Sequence, residues 1–138
     1  MNLSPHFTLE EMVATQHRGI SNDPPLDVVA NLKATANGLE AVRVLLGAPI
    51  IISSGYRCPE LNKAVGGQRN IQHLTGQAVD FICPGFGPPI TVASRLSGAG
   101  IGFDQLIVEY DRWVHISFAP HPRGQLLRID ATGTRPLF

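Results

Sequence analysis

Apolar positions recur along the chain with two different periods. Between Pro24-Pro25 and Gly47, residues Val29, Leu32, Ala36, Leu39, Val42 and Leu46 follow one another at three- and four-residue steps. That spacing gathers side chains on one face of an α-helix, and Gly47 closes it. Thr8 and Glu11 have the spacing of a capping box, which predicts a short helix from Leu9 to about Ala14. The HRGISNDPP stretch between the two is a loop. A third helix is predicted over Ile90 to Leu96, after the PGFGPP turn and before the glycines at 98 and 100.

Elsewhere the period shortens. Ile50-Ile51-Ile52, bounded by Pro49 and Gly55, predicts a buried strand that opens into SSGYRCPELN. A long loop is expected next, through Gly66-Gly67 and QRNIQHLTG, before AVDFI resumes strand character. Leu106 to Tyr110 and Trp113 to Phe118 form a hairpin about Asp111-Arg112, although that loop lacks the favoured glycine. Leu126 to Ile129 gives a further strand, followed by a DATG turn. Alternation within WVHISF puts Val114, Ile116 and Phe118 on one face, the core face, and Trp113, His115 and Ser117 on the other. His115 is therefore expected to look toward solvent or a cleft. In AVDFI the same rule sets Val79 and Phe81 against Asp80, a carboxylate on an otherwise apolar strand, where aspartate is depleted.

Composition narrows the classes. The 138 residues fit one domain, 1–138, with 119–138 as an extension beyond the patterned part. Charged residues make up only 16% and acids balance bases at 11 each, which excludes the basic stripe of a nucleic-acid binder. Arg112, Arg123, Arg128 and Arg135 face only Asp111 and Asp130 near the C-terminus, a local excess that suits an anionic surface but is more simply a solvated tail. Cys58 and Cys83 make neither a disulfide framework nor a four-cysteine zinc site, and their pairing is left open. MNLSPHFTLEEMVA lacks the basic start and apolar run of a signal peptide, and no stretch is long enough to span a bilayer. Synthesis in the cytoplasm, a monomeric state and no membrane insertion are expected.

Taken singly, Asp80 could pair with an arginine and His115 could be one partly exposed histidine among five. Their combination with His73 and the glycine at 76 points instead to metal, because two imidazoles and a carboxylate are ordinary zinc ligands and a catalytic site leaves a fourth position to water. From His73 to Asp80, HLTGQAVD resembles the H-x-x-G-x-A-x-D signature of zinc D-alanyl-D-alanine carboxypeptidases, a family that includes phage L-alanyl-D-glutamate endolysins and vancomycin-resistance dipeptidases. SGYRCPELN (54–62), AVGG (64–67), FDQLIVE (103–109) and WVHIS (113–117) extend the likeness, and the opening FTLEEM is similar to the compact phage-type branch.

The resemblance implies an α+β domain, helices on a small antiparallel sheet as in the hedgehog and DD-peptidase-like fold, whose exposed face carries one zinc ion on His73, Asp80 and His115. It implies hydrolysis of amide bonds in peptidoglycan stem or cross-link peptides, at the cell wall and after holin release. Arg57 would hold substrate and oxyanion, while Gln105, Ser117 and Tyr56 would bind substrate or orient the site. The usual acid three residues before the last histidine is replaced by Arg112. Glu109 is the expected general base if a three-residue hairpin loop sets it opposite His115, and Asp111 is second. Ile71 stands where most relatives carry serine, which speaks against a strict D-Ala-D-Ala carboxypeptidase. A non-catalytic wall-binding or virion structural module is the alternative. His6, His17 and His121 match no motif and are read as surface residues.

Overall fold

Thr8 accepts from Glu11 N–H while the Glu11 carboxylate accepts from Thr8 N–H, so the capping box starts helix α1 (Leu9–Met12) as its spacing requires. The computed structural model describes residues 1–65 and 71–138; the Gly66-Gly67 pair and Gln68–Asn70 lie outside it, as does the side chain of Ile71. Before α1, strands β1 (Asn2–Ser4) and β2 (Phe7–Thr8) form a small antiparallel pair. α1 stops at Met12 rather than Ala14, because the Met12 carbonyl accepts from Tyr56 N–H of a distant segment. Gly55 lies against that same carbonyl, and a Cβ there would stand 2.2 Å from the Met12 oxygen.

Helix α2 (Leu26–Leu46) ends on Gly47 in the left-handed conformation. Its buried stripe runs Val28, Leu32, Thr35, Ala36, Leu39, Val42, Leu46. Val28 replaces the expected Val29 because steps of four from Ala36 and Leu32 lead back to 28. Strand β3 (Ile51–Ser54) is the edge of the main sheet, and Ile51 is 52% exposed, so the expectation of a buried strand is corrected. Its register shifts between Ile52 and Ser54, a bulge that turns the chain out of the sheet. Helix α3 (Pro59–Ala64) starts within SSGYRCPELN, and the stretch expected to be loop holds a further short helix, α4 (Ile71–Leu74).

Strand β4 (Ala78–Ile82), helix α5 (Pro89–Ser97), β5 (Gln105–Glu109), β6 (Trp113–Ser117), β7 (Gln125–Asp130) and β8 (Gly133–Pro136) complete a sheet ordered β3-β4-β6-β5-β7-β8. The architecture is α+β, as expected, but the sheet is mixed: β5 and β7 pair in parallel. This is possible without a crossover helix because residues 118–124 only have to pass over the start of β5, where Gly124 N–H donates to the Phe103 carbonyl and Gln125 N–H to that of Asp104. Asp104, buried, fixes the crossing by accepting from Arg123 N–H, Nε and Nη2 at 2.7–2.9 Å. Arg128 and Arg135 are likewise paired, with Asp111 and Asp130, so the local excess of arginine is largely spent inside the sheet extension.

The core lies on one face of this sheet. Val79, Phe81, Leu106, Val108, Val114 and Ile116 meet Leu32, Ala36, Leu39 and Val42 of α2 and Val92, Ala93 and Leu96 of α5. Each such fully buried aliphatic or aromatic side chain stabilises by about 1.5–3 kcal/mol. Among the described residues no helix is long and apolar enough to cross a membrane, and Cys58 and Cys83 are both free thiols.

Two outcomes follow from this packing. Gly76 has φ +77°, and a Cβ there would meet Leu32 Cγ and Val28 Cγ1 at 3.0 Å. Gly76→Ala should destabilise by about 2–4 kcal/mol, combining left-handed strain with overpacking, as a lower urea midpoint at unchanged m. Hydrogen bonds from Arg123 hold the Asp104 carboxyl well below the usual carboxylate range, against the opposing effect of burial. A carboxyl depressed in the fold stabilises fully above its unfolded pKa of about 3.9 and loses that contribution as pH falls through its folded value. Urea unfolding should therefore show Asp104→Asn less stable than wild type at pH 7, with the gap closing on acidification below about pH 4.

Candidate active site

Register brings the first two candidate ligands together. Asp80 of β4 pairs directly with His115 of β6, so both side chains leave the sheet on the same face, the one opposite the core. His115 Nδ1 lies 3.0 Å from Asp80 Oδ1. His73 comes from α4, above that face, and its Nε2 lies 3.3 Å from the same oxygen. Its Nδ1 is 2.7 Å from the Gly55 carbonyl oxygen. A carbonyl can only accept, so Nδ1 donates to it, and Nε2 is the ring nitrogen turned toward the cluster: it donates to Asp80 when protonated and is free to bind a metal when not.

α4 is short and is held from several sides. Asn31 Nδ2 donates to the Thr75 carbonyl and Thr35 Oγ1 to that of Gly76, both from α2. Arg57 N–H donates to the His73 carbonyl, and Gln72 Nε2 to Asp104 Oδ2 at 2.7 Å. Asp104 thus ties the β6–β7 crossing to the helix that carries His73. Neither Asp104 nor Thr35 was singled out from sequence. Thr35 could have been, since it falls on the apolar stripe of α2 between Leu32 and Leu39.

One ligand atom each from His73, Asp80 and His115 lies within 4.8 Å of the others. All three residues are buried, His115 completely, so the expectation of an outward-looking histidine on an exposed face is corrected. The face is outward with respect to the core, but α4 and the segment from Ser54 to Arg57 cover it. Burial opposes ionisation of Asp80, but the charge of His73 and hydrogen bonds from His115 and His73 outweigh it and hold the carboxyl well below the usual range. An ionised carboxylate between two imidazoles, one with its tautomer set by a backbone carbonyl, is a donor set that fits zinc.

Arg57 is the third partner of Asp80. It donates from Nη2 to Asp80 Oδ2 at 3.2 Å, from Nε to Ser54 Oγ at 3.1 Å and from Nη1 to Asn62 Oδ1 at 3.3 Å. Asn22, buried and also missed in the sequence, holds this segment in place: its Nδ2 donates to the carbonyls of Val13 and Tyr56, and its Oδ1 accepts from Cys58 N–H. The same staple fixes the loop after α1 as the facing wall of a cleft of about 330 Å³. Thr15, Gln16 and His17 line one side, and Ser54, Arg57, Asp80 and Trp113 the other. His17, read as an unassigned surface histidine, is a cleft residue.

The hairpin loop is three residues long, Tyr110 to Arg112, and such a loop closes on Glu109 and Trp113, which counts back to Ile107, not Glu109, opposite His115. The expected direct pairing of Glu109 with His115 is therefore corrected. Glu109 shares the ligand face, diagonal to His115, and its Oε1 accepts from Trp113 Nε1 at 2.7 Å. Asp111 is engaged with Arg128 at the hairpin tip, 2.6 Å away. Tyr56, expected to bind substrate or orient the site, is packed into the core, 4% exposed, behind the segment that carries Arg57, and burial pushes its hydroxyl pKa up. Ser117 Oγ accepts from Gln105 N–H and the Gln105 side chain donates to Gln125, so among the described residues these bonds run along the sheet rather than to the three ligands.

A family model for Peptidase M15 matches residues 5–117. The chain belongs to the Peptidase M15 family. No curated protein matches it. The matched region holds α1 through β6 and every residue of the cluster, while β7 and β8 lie beyond it. M15 peptidases are zinc-dependent, and among the described residues the His73–Asp80–His115 cluster could hold the ion.

Metal titration checks the cluster directly. One zinc per chain should raise the thermal midpoint, with about 2.7 kcal/mol of stabilisation when free zinc is 100 times its dissociation constant. Chelator should reverse the shift, and Asp80→Ala or His115→Ala should abolish most of it.

Proposed function

We propose that this M15 peptidase hydrolyses amide bonds in peptidoglycan stem or cross-link peptides, acting as an endolysin-type endopeptidase. The observation that carries the reading is the convergence of His73, Asp80 and His115 beside a cleft that also exposes Arg57. A zinc ion held there supplies a Lewis acid and lowers the pKa of a water molecule to about 7. Glu109 is the better candidate for the base: it lies on the ligand face, whereas Asp111 is exposed at the hairpin tip in an ion pair. It accepts a proton from the attacking water and returns it to the leaving amine as the C–N bond breaks, and the Trp113 indole N–H keeps its carboxylate oriented. Arg57 uses three of its five N–H donors on Ser54, Asn62 and Asp80. The others serve the oxyanion of the tetrahedral intermediate, so the arginine both orients a ligand and stabilises the transition state.

Isoleucine at 71, where a hydroxyl would meet a substrate's terminal carboxylate in the carboxypeptidases, favours the endopeptidase over the carboxypeptidase branch. The chain is proposed to work as a monomer at the cell wall, in a phage or prophage setting that supplies its exit from the cytoplasm.

Digestion of purified peptidoglycan, with new termini identified by mass spectrometry, tests the assignment. Wild-type protein loaded with zinc should release peptide termini, and Glu109→Gln should lower kcat by about 10²–10⁴ while still binding zinc. Unchanged cleavage by that variant would remove Glu109 from the mechanism. A zinc-loaded wild type that releases nothing from any wall chemotype would mark a wall-binding module instead.

A further inference from the structure

A second and larger hollow, of about 530 Å³, is lined by Tyr110, Asp111, Arg112, Trp113 and Asp130. Trp113 borders both spaces. Tyr110 is 51% exposed, and its ring sits 5.9 Å from the Trp113 ring, centroid to centroid, at an interplanar angle of 52°. An exposed aromatic ring and a half-buried one thus stand at an angle to each other in the lining of the hollow, together with polar groups. Asp111 and Asp130 are each set by an arginine, Arg128 and Arg135, which keeps both carboxylates in fixed positions around the hollow.

The backbone holds this arrangement at a cost. Tyr110 and Asp111 both have φ 55°, the left-handed region that non-glycine residues rarely adopt. A glycine in the loop would remove that cost, but at 110 it would also remove the ring.

Aromatic faces carry partial negative charge and attract the partly positive C–H faces of a sugar ring, while carboxylates at the rim accept its hydroxyl and amide hydrogens. We propose that this hollow is a subsite for the amino-sugar chain to which the peptide substrate is attached, an inference that rests on reading the cleft as a peptidoglycan peptidase site. Because Trp113 lines both spaces, a glycan seated on Tyr110 and Trp113 would carry its attached peptide toward the cleft that Arg57 and Asp80 line. The Trp113 indole also touches the proposed base, Glu109, so occupancy of the glycan side is felt at the catalytic side.

Trp113 is the single tryptophan of the chain and reports on the hollow without any turnover. Its fluorescence should change saturably on titration with β-1,4-linked N-acetylglucosamine tetramer. Tyr110→Gly, which the left-handed backbone accepts, should weaken that binding roughly five- to tenfold, and Tyr110→Phe should restore it. In wall digestion Tyr110→Gly should raise KM for intact peptidoglycan by a similar factor and leave KM for a free stem peptide unchanged. Absence of a saturable response to the tetramer, or a response that Tyr110→Gly does not weaken, overturns the subsite. So does an equal loss on free peptide, which would assign the hollow to the peptide rather than the glycan. These outcomes leave the peptidase reading standing, since that fails only if the zinc-loaded wild type cleaves no wall.

Discussion

The fold is organised around one carboxylate that it cannot leave uncompensated. Asp80 sits in an interior strand of the sheet, 4% exposed, where an isolated ionised carboxylate would cost several kcal/mol in lost hydration. Four features meet that cost together: the cross-strand pairing with His115, the approach of His73, the Arg57 guanidinium on the second oxygen, and room for a cation between the imidazoles. None of the three partners reaches Asp80 through sequence proximity alone. His115 depends on the β4–β6 register, His73 on the docking of α4, and Arg57 on the bulge that ends β3. Secondary structure is thereby committed to the site: a one-residue slip between β4 and β6 would turn Asp80 or His115 into the core.

Around this centre the supporting structure divides by chemistry. The core face of the sheet is held by non-directional apolar burial, while the site face is held by hydrogen bonds from individual polar side chains that are themselves buried or nearly so. Asn22 fixes the loop that walls the cleft, Asn31 and Thr35 fix the turn behind His73, and Asp104 joins α4 to the strand crossing. Such groups are expensive to leave unsatisfied, which makes them effective at specifying one geometry.

How much of this can be read from sequence follows from the range of each interaction. The stripe of α2, the capping box of α1 and the opposed faces of AVDFI and WVHISF are local patterns; Asp80 and His115 were legible because period-two alternation and the ordered motifs agree on them, and His73 through its motif alone. The burial of His115 was not, since it depends on what folds over the sheet rather than on the strand. The parallel pairing of β7 was hidden because its connection is short, whereas the place of Glu109 follows from loop length alone: a loop of Tyr110 to Arg112 closes on Glu109 and Trp113 and so sets Ile107, two residues back, opposite His115. Val28 rather than Val29 faces the core, a one-position error of the kind helical phase allows. Asn22 and Asp104 act only through tertiary contacts and leave no periodic trace.

The central claim is that His73, Asp80 and His115 together hold a single zinc ion. X-ray absorption at the zinc edge on the purified, zinc-loaded protein tests it most directly. The zinc should show a first shell of nitrogen and oxygen alone at about 2.0–2.1 Å with the outer-shell scattering of two imidazoles, reduced to one in His115→Ala. A sulfur scatterer near about 2.3 Å, or a spectrum unchanged by that substitution, would contradict it.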